Sequence, residues 1–205
     1  MKKKSKNKGF TLVEMLIVMG IMGLFVVLVT DFQSKIFIYN RIFQGGNFVG
    51  TDALNVVKSM AVEMRSMSPS SGGAYPIESA STSSIAFFND IDDDGNKERI
   101  RYFLSGTTMQ RGVIKPTGNP FVYNTTSETF STLMSNVRNT STSSVFTYYN
   151  TYYDGSATTS LSLPIPISNV RLVVVNVILD ADPSRPFVPL YATTQVSLRN
   201  LKDNL

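Results

Sequence analysis

KKKSKNKGFTLVEMLIVMGIMGLFVVLVTD, residues 2–31, decides how this chain folds. Lysines 2, 3, 4, 6 and 8 precede Gly9, and the 21 residues from Phe10 to Thr30 hold Glu14 as their only charge. Polarity is therefore split from end to end of the stretch and not between the faces of a helix. Cytoplasmic flanks of membrane segments carry excess lysine and arginine, so the basic end reads as cytoplasmic and the apolar run as membrane-spanning. At 1.5 Å per residue, a helix of 21 residues is roughly 30 Å long, which matches the hydrocarbon core of a bilayer.

The whole chain has 205 residues, enough for this segment and one domain of ordinary size. Cysteine is absent, so any extracytoplasmic part must hold together by its core and not by disulfides. Histidine is absent too, which removes imidazole metal sites and the usual general base near neutral pH. The formal charge of +4 sits in the leader: taking its five lysines from 19 Lys+Arg leaves 14 against 15 Asp+Glu. A nearly neutral remainder carries no global field for DNA or RNA, and nucleic acid is not an expected partner.

A secretory signal peptide also pairs a basic head with an apolar stretch. Its apolar region is shorter, about 7–15 residues, and ends at a small-residue cleavage site, whereas Val26 to Gln33 reads VVLVTDFQ. Nor does a plain signal anchor account for a glycine at the polar-to-apolar boundary with a carboxylate five residues later. Lys8-Gly9-Phe10-Thr11-Leu12-Val13-Glu14 resembles the class III signal of type IV pilins and type II secretion pseudopilins. The resemblance implies that a prepilin peptidase cuts between Gly9 and Phe10 on the cytoplasmic side and methylates the new amino terminus of Phe10. It also implies that the apolar helix stays, first as an inner-membrane anchor and later as the packed core of a cell-surface or periplasmic filament. Other pilin subunits and an inner-membrane assembly platform are then the expected partners.

Glu14 has two readings. Thr11-x-x-Glu14 fits a capping box, and a carboxylate in a first turn is favoured by the helix dipole. An ionisable group in a membrane run is also costly and a functional candidate by default. In the resembled family the matching glutamate pairs with the terminal amine of a neighbouring subunit and sets axial register during assembly. Gly20 and Gly23 are spaced i, i+3, which is not the i, i+4 pattern of close membrane-helix approach.

Beyond Asp31, apolar residues recur at Phe32, Ile36, Tyr39, Phe43, Ala53, Val57, Met60 and Met64, the three- and four-residue spacing of a helix with one buried face. Gly46 and Gly50 occupy two stripe positions, and with Gly45 they predict a bend or break, because each glycine costs about 1 kcal/mol relative to alanine. The expected layout is a leader at 1–9, a transmembrane helix at 10–30, an amphipathic helix at 31–66 and a globular head at 67–205. The expected fold class is α+β, with a long N-terminal helix packed by its second half on an antiparallel sheet.

Ser84–Asn89 and Lys97–Leu104 read as a hairpin, with Ile100, Tyr102 and Leu104 alternating with Arg99, Arg101 and Phe103. The turn between them, Asp90-Ile91-Asp92-Asp93-Asp94-Gly95-Asn96, matches the first half of a calcium loop, with Asp90, Asp92, Asp94 and Asn96 as candidate ligands. The second half departs from it, since Arg101 stands where the bidentate glutamate belongs; a plain Asp/Gly turn explains the same residues. The side on which Glu98 falls stays open. A similar hairpin occurs in a subset of minor pilins, as does a terminal segment like Thr194-x-Val196-x-Leu198-Arg199-Asn200.

Gly112–Pro120 reads as a loop, and Phe130, Leu133, Met134 and Val137 predict a short helix capped by Ser127. Asn124-Thr-Thr and Asn139-Thr-Ser fit glycosylation acceptors and signal exposure. Val145–Tyr153 carries five aromatics without interleaved Lys or Arg, which favours strand packing over base stacking. Asn169–Asp180 is the strongest strand, and Tyr191–Leu198 its antiparallel neighbour. The leading function is a structural and assembly subunit, a minor pilin or pseudopilin and not an enzyme, with no cofactor other than the open calcium alternative. The alternative function is a filament-tip adhesin or DNA-uptake receptor on the same scaffold; a membrane-anchored hydrolase lacks a convergent nucleophile and base.

Overall fold

A computed structural model of the chain describes residues 11–140, 142–155, 160–181, 183, 189–198 and 201. The leader, with the expected cleavage and methylation positions Gly9 and Phe10, lies outside the described residues, as do Ser141 of the second acceptor triplet and Arg199-Asn200. The chain falls into two compact units, Met1–Gly45 and Gly46–Leu205.

Helix α1, Leu12–Arg65, crosses that division; a bend or break was expected at Gly45, Gly46 and Gly50, and the break is absent, since the helix runs through all three. In the first unit every described side chain from Thr11 to Phe37 is exposed, and Leu12–Phe37 is apolar and long enough to cross a membrane. Thr30 Oγ1 and Ser34 Oγ donate back to the carbonyls of Val26 and Thr30, at 2.7 and 2.9 Å, so neither hydroxyl leaves an unpaired donor on the helix surface. Lys35 and Asp31 form an i, i+4 ion pair at 2.8 Å just past the uncharged run.

The second unit holds the remaining turns of α1 and, among the described residues, eight strands in two antiparallel sheets. The first sheet is a meander of β1 (Ile77–Ala80), β2 (Ser84–Asn89), β3 (Glu98–Ser105), β4 (Thr108–Ile114) and β5 (Thr129–Met134) in that order. The second places β7 (Leu172–Asp180) between β6 (Phe146–Tyr149) and β8 (Pro189–Ser197). The stripe read from the sequence is buried where it enters this unit: Ala53, Val57, Met60 and Met64 pack in one cluster with Phe87, Ile100 and Tyr102 of the first sheet and Tyr148, Val173 and Val175 of the second. Burying a side chain of methionine or valine size contributes about 1.5–3 kcal/mol, so this face decides where the helix sits.

Polar contacts then fix its rotation. Glu63, between the buried Met60 and Met64, accepts from the Tyr102 hydroxyl at 2.7 Å and from Arg111 Nε at 3.1 Å. Burial pushes the Tyr102 phenol far above its usual range, with Glu63 adding to the effect, so it stays protonated and donates. This three-residue link spans helix, β3 and β4, and the sequence offered only a charged residue beside the apolar stripe as its signal.

Two expectations between residues 112 and 137 are corrected. Gly112 to Ile114 belong to β4, and Ser127–Val137 is not a helix but contains β5. The apolar spacing that suggested a helix coexists with strand-forming Thr and Phe, and pairing with β4 settles the conformation, Phe130 lying opposite Gly112. Phe130 stacks edge-on against Phe103, whose ring lies 4.0 Å from the Arg101 guanidinium. Ser127 does not cap a helix either; Asn124 caps a single 3-10 turn, its Oδ1 accepting from Thr126 N at 3.0 Å.

Gly112 is required by packing. A Cβ there would collide with Glu128 Oε1, and the Glu128 side chain is only 6% exposed, forked onto Arg101 through bonds of 2.9 and 2.7 Å. That carboxylate cannot swing aside without leaving the guanidinium unpaired beside β4. Gly112→Ala is therefore expected to destabilise the head by about 2 kcal/mol, read as a lowered unfolding midpoint of the detergent-solubilised full chain. An unchanged midpoint would show that Glu128 is free to move.

Candidate functional site

The first candidate site is the start of α1. Thr11 is the residue before the helix and Glu14 the third within it. Thr11 N donates to Glu14 Oε2 at 2.9 Å and Thr11 Oγ1 donates to the same oxygen at 3.1 Å, while Glu14 N donates to Thr11 Oγ1 at 3.3 Å. The capping box expected from Thr11-x-x-Glu14 is formed, with two otherwise unpaired helix donors satisfied reciprocally. Both bonds to Glu14 fall on Oε2; among the described residues Oε1 takes none. The local cap thus uses half of the carboxylate and leaves its other oxygen, and its charge, for a partner.

Around Glu14 the helix is apolar on all sides. Leu12, Met15, Leu16, Ile17, Met19 and Val13 are all at least half exposed. A helix of this kind is stable only in a bilayer or among other helices. In either setting an ionised carboxylate without a counter-charge is costly, by a few kcal/mol at full depth.

The second candidate is the turn joining β2 and β3. Asp93 and Gly95 take left-handed conformations, φ +56° and +88°, as the Asp/Gly turn reading required. Asp90 Oδ2 accepts from Gly95 N at 3.1 Å and from Lys97 Nζ at 2.8 Å. Asp94 Oδ1 accepts from Asn96 N at 2.7 Å, closing its own turn. Asp92 pairs with Lys115, which follows β4. The neighbouring ammonium groups, Lys97 for Asp90 and Lys115 for Asp92, hold both carboxyls below their usual range, so both are ionised at neutral pH.

Strand alternation places Glu98 inward: it is fully buried at the start of β3, with Oε2 accepting from Ile91 N at 3.1 Å. One carboxylate oxygen from each of Asp90, Asp92 and Glu98 lies within 4.8 Å of the others. Of the sequence candidates, Asp90 and Asp92 are thus brought together, Glu98 joins them, and the Asp94 carboxylate is engaged with the Asn96 amide.

Asn139, read only as a glycosylation signal, has a structural role. Its Nδ2 donates to the carbonyls of Ser143 and Asn176 at 2.9 and 2.8 Å, and its Oδ1 accepts from Ile178 N at 2.8 Å. The side chain extends the pairing of β7 beyond the end of β6, a use that an Asn-x-Ser triplet does not announce.

Residues 4–30 match a family model described as the prokaryotic N-terminal methylation motif, the class III signal of type IV pilins and pseudopilins. The match covers residues 4–9 of the leader, the Gly9-Phe10 junction, the Thr11–Glu14 cap and the whole of the uncharged run. No curated protein matches the chain. The motif supports a type IV pilin- or pseudopilin-like precursor, implies processing by prepilin peptidase and assembly with other pilins, and points to a structural subunit in preference to an enzyme. The apolar start of α1 fits a membrane anchor.

Proposed function

We propose that the chain is a minor pilin or pseudopilin, a low-copy subunit of a type IV pilus-like filament, cleaved after Gly9 and methylated on Phe10. The observation that carries this reading is the half-used carboxylate of Glu14 in the otherwise uncharged, exposed stretch of α1 that lies inside the matched motif. Cleavage after Gly9 frees the amine of Phe10, four residues before Glu14. In an apolar bundle, a free amine on one subunit and Glu14 on the next neutralise one another, and neither charge is buried alone. Axial positions that fail to bring the two together leave both unpaired, so the pair sets the register of stacked helices.

The same chemistry gives the subunit two locations. Before assembly the bilayer covers the apolar run, and afterwards neighbouring helices do. Fractionating cells into membranes and sheared filaments tests this directly: the chain is expected in both, and in filaments at a low ratio to the major subunit. Recovery from membranes alone, in cells that are making filaments, would contradict the proposal.

A further inference from the structure

We infer that the turn between β2 and β3 holds a divalent metal ion, calcium by its chemistry, with Asp90, Asp92 and Glu98 as ligands. Glu98 is the most deeply buried carboxylate of the three. This side chain is 0% exposed, yet its Oε1 is buried without a hydrogen-bond partner, and so is Oδ1 of Asp90. A buried carboxylate oxygen left unpaired is costly, and the same carboxylate bound to a cation is not. Lys97 and Lys115 each take one oxygen, on Asp90 and on Asp92. Neither forms an ion pair with Glu98, which Lys115 reaches only at longer range, so no ammonium contacts the innermost member of the cluster.

Geometry and ligand type select the ion. Oxygens bound to one calcium lie roughly 2.3–2.6 Å from it and so up to ~5 Å apart, and the three carboxylates supply oxygens within 4.8 Å of one another. All three donors are hard carboxylate oxygens with no nitrogen or sulfur among them, which favours calcium or magnesium over zinc or copper. Calcium tolerates irregular ligand sets, and magnesium demands a near-ideal octahedron. A set drawn from a turn and the first residue of a strand suits the former. The ligands differ from those of the loop pattern read along the sequence: Glu98 enters, and the Asp94 carboxylate instead closes its own turn.

The ion competes with Lys115 for Asp92, which is exposed enough for that lysine to swing away. Affinity is therefore set by a displacement, and the expected dissociation constant falls on the order of 10⁻⁴–10⁻³ M. Full-length protein in detergent, stripped with chelator and returned to 0.15 M sodium chloride, is titrated with calcium chloride or magnesium chloride, with calorimetry and thermal unfolding as readouts. Calcium at a few millimolar is expected to raise the unfolding midpoint more than magnesium does. Asp92→Asn and Glu98→Gln are expected to weaken calcium binding at least ~10-fold, and Lys115→Met to tighten it severalfold. Asp92 is partly exposed, so its variant decides the matter even if Glu98→Gln fails to fold. No calcium response in the unmodified chain, or an equal response in Asp92→Asn, overturns the site.

Discussion

Glu14→Gln is expected to leave cleavage and methylation intact and to remove the chain from filaments. Glutamine still completes a capping box, accepting from Thr11 N where Glu14 Oε2 does at 2.9 Å, so helix initiation is preserved. The charge alone is lost. Without it the amine of a neighbouring Phe10 is buried unpaired, at a cost of about 3–5 kcal/mol, equivalent to on the order of 10²–10⁴-fold in an association constant. Glu14→Val loses cap and charge together and should be at least as severe. Thr11→Val removes the reciprocal hydroxyl contacts, at 3.1 and 3.3 Å, but keeps the carboxylate. A lost cap costs about 1 kcal/mol, so that variant should assemble at a moderately reduced level. Quantifying each variant in sheared filaments separates the two roles. Normal incorporation of Glu14→Gln would leave only the cap.

Gly9→Val is expected to abolish processing, leaving a precursor that keeps its lysines and stays in the membrane. A residue without Cβ lets another backbone approach closely, and a peptidase cutting beside residue 9 needs that approach. The retained leader would also hold five positive charges beside the apolar run, and moving them out of the cytoplasm into a bundle is prohibitive. Immunoblots should show one band of precursor mobility and none in filaments. A fully matured Gly9→Val chain would place the scissile bond elsewhere.

The start of the chain was legible because its physics is one-dimensional. A lysine block, a boundary glycine and an uncharged run need no tertiary contact to be read, and the Thr11–Glu14 box is local enough to follow from spacing. The β2–β3 hairpin and the β7–β8 pair were legible for a similar reason, since short runs rich in aromatic and branched residues lie there between turn signals. Between residues 112 and 137 local pattern misled. Gly112 looked like a loop residue, but its missing Cβ makes room for Glu128, which is 16 residues away in sequence. Phe130 and Leu133 carried helical spacing, and pairing with β4 overrode it. Glu63, Tyr102 and Arg111 could not be linked from sequence because each belongs to a different element. At the acidic turn the pattern found Asp90 and Asp92; Glu98 joined them only once the side on which β3 faces the core was known.

The central claim is that the chain is a precursor whose mature form begins at Phe10. The intact mass and first residue of the protein extracted from membranes test it most directly. The account predicts a chain starting at Phe10, lacking residues 1–9 and heavier by one methyl group on its terminal amine. A chain that retains the lysine leader, or one cut beyond the apolar run, would contradict it.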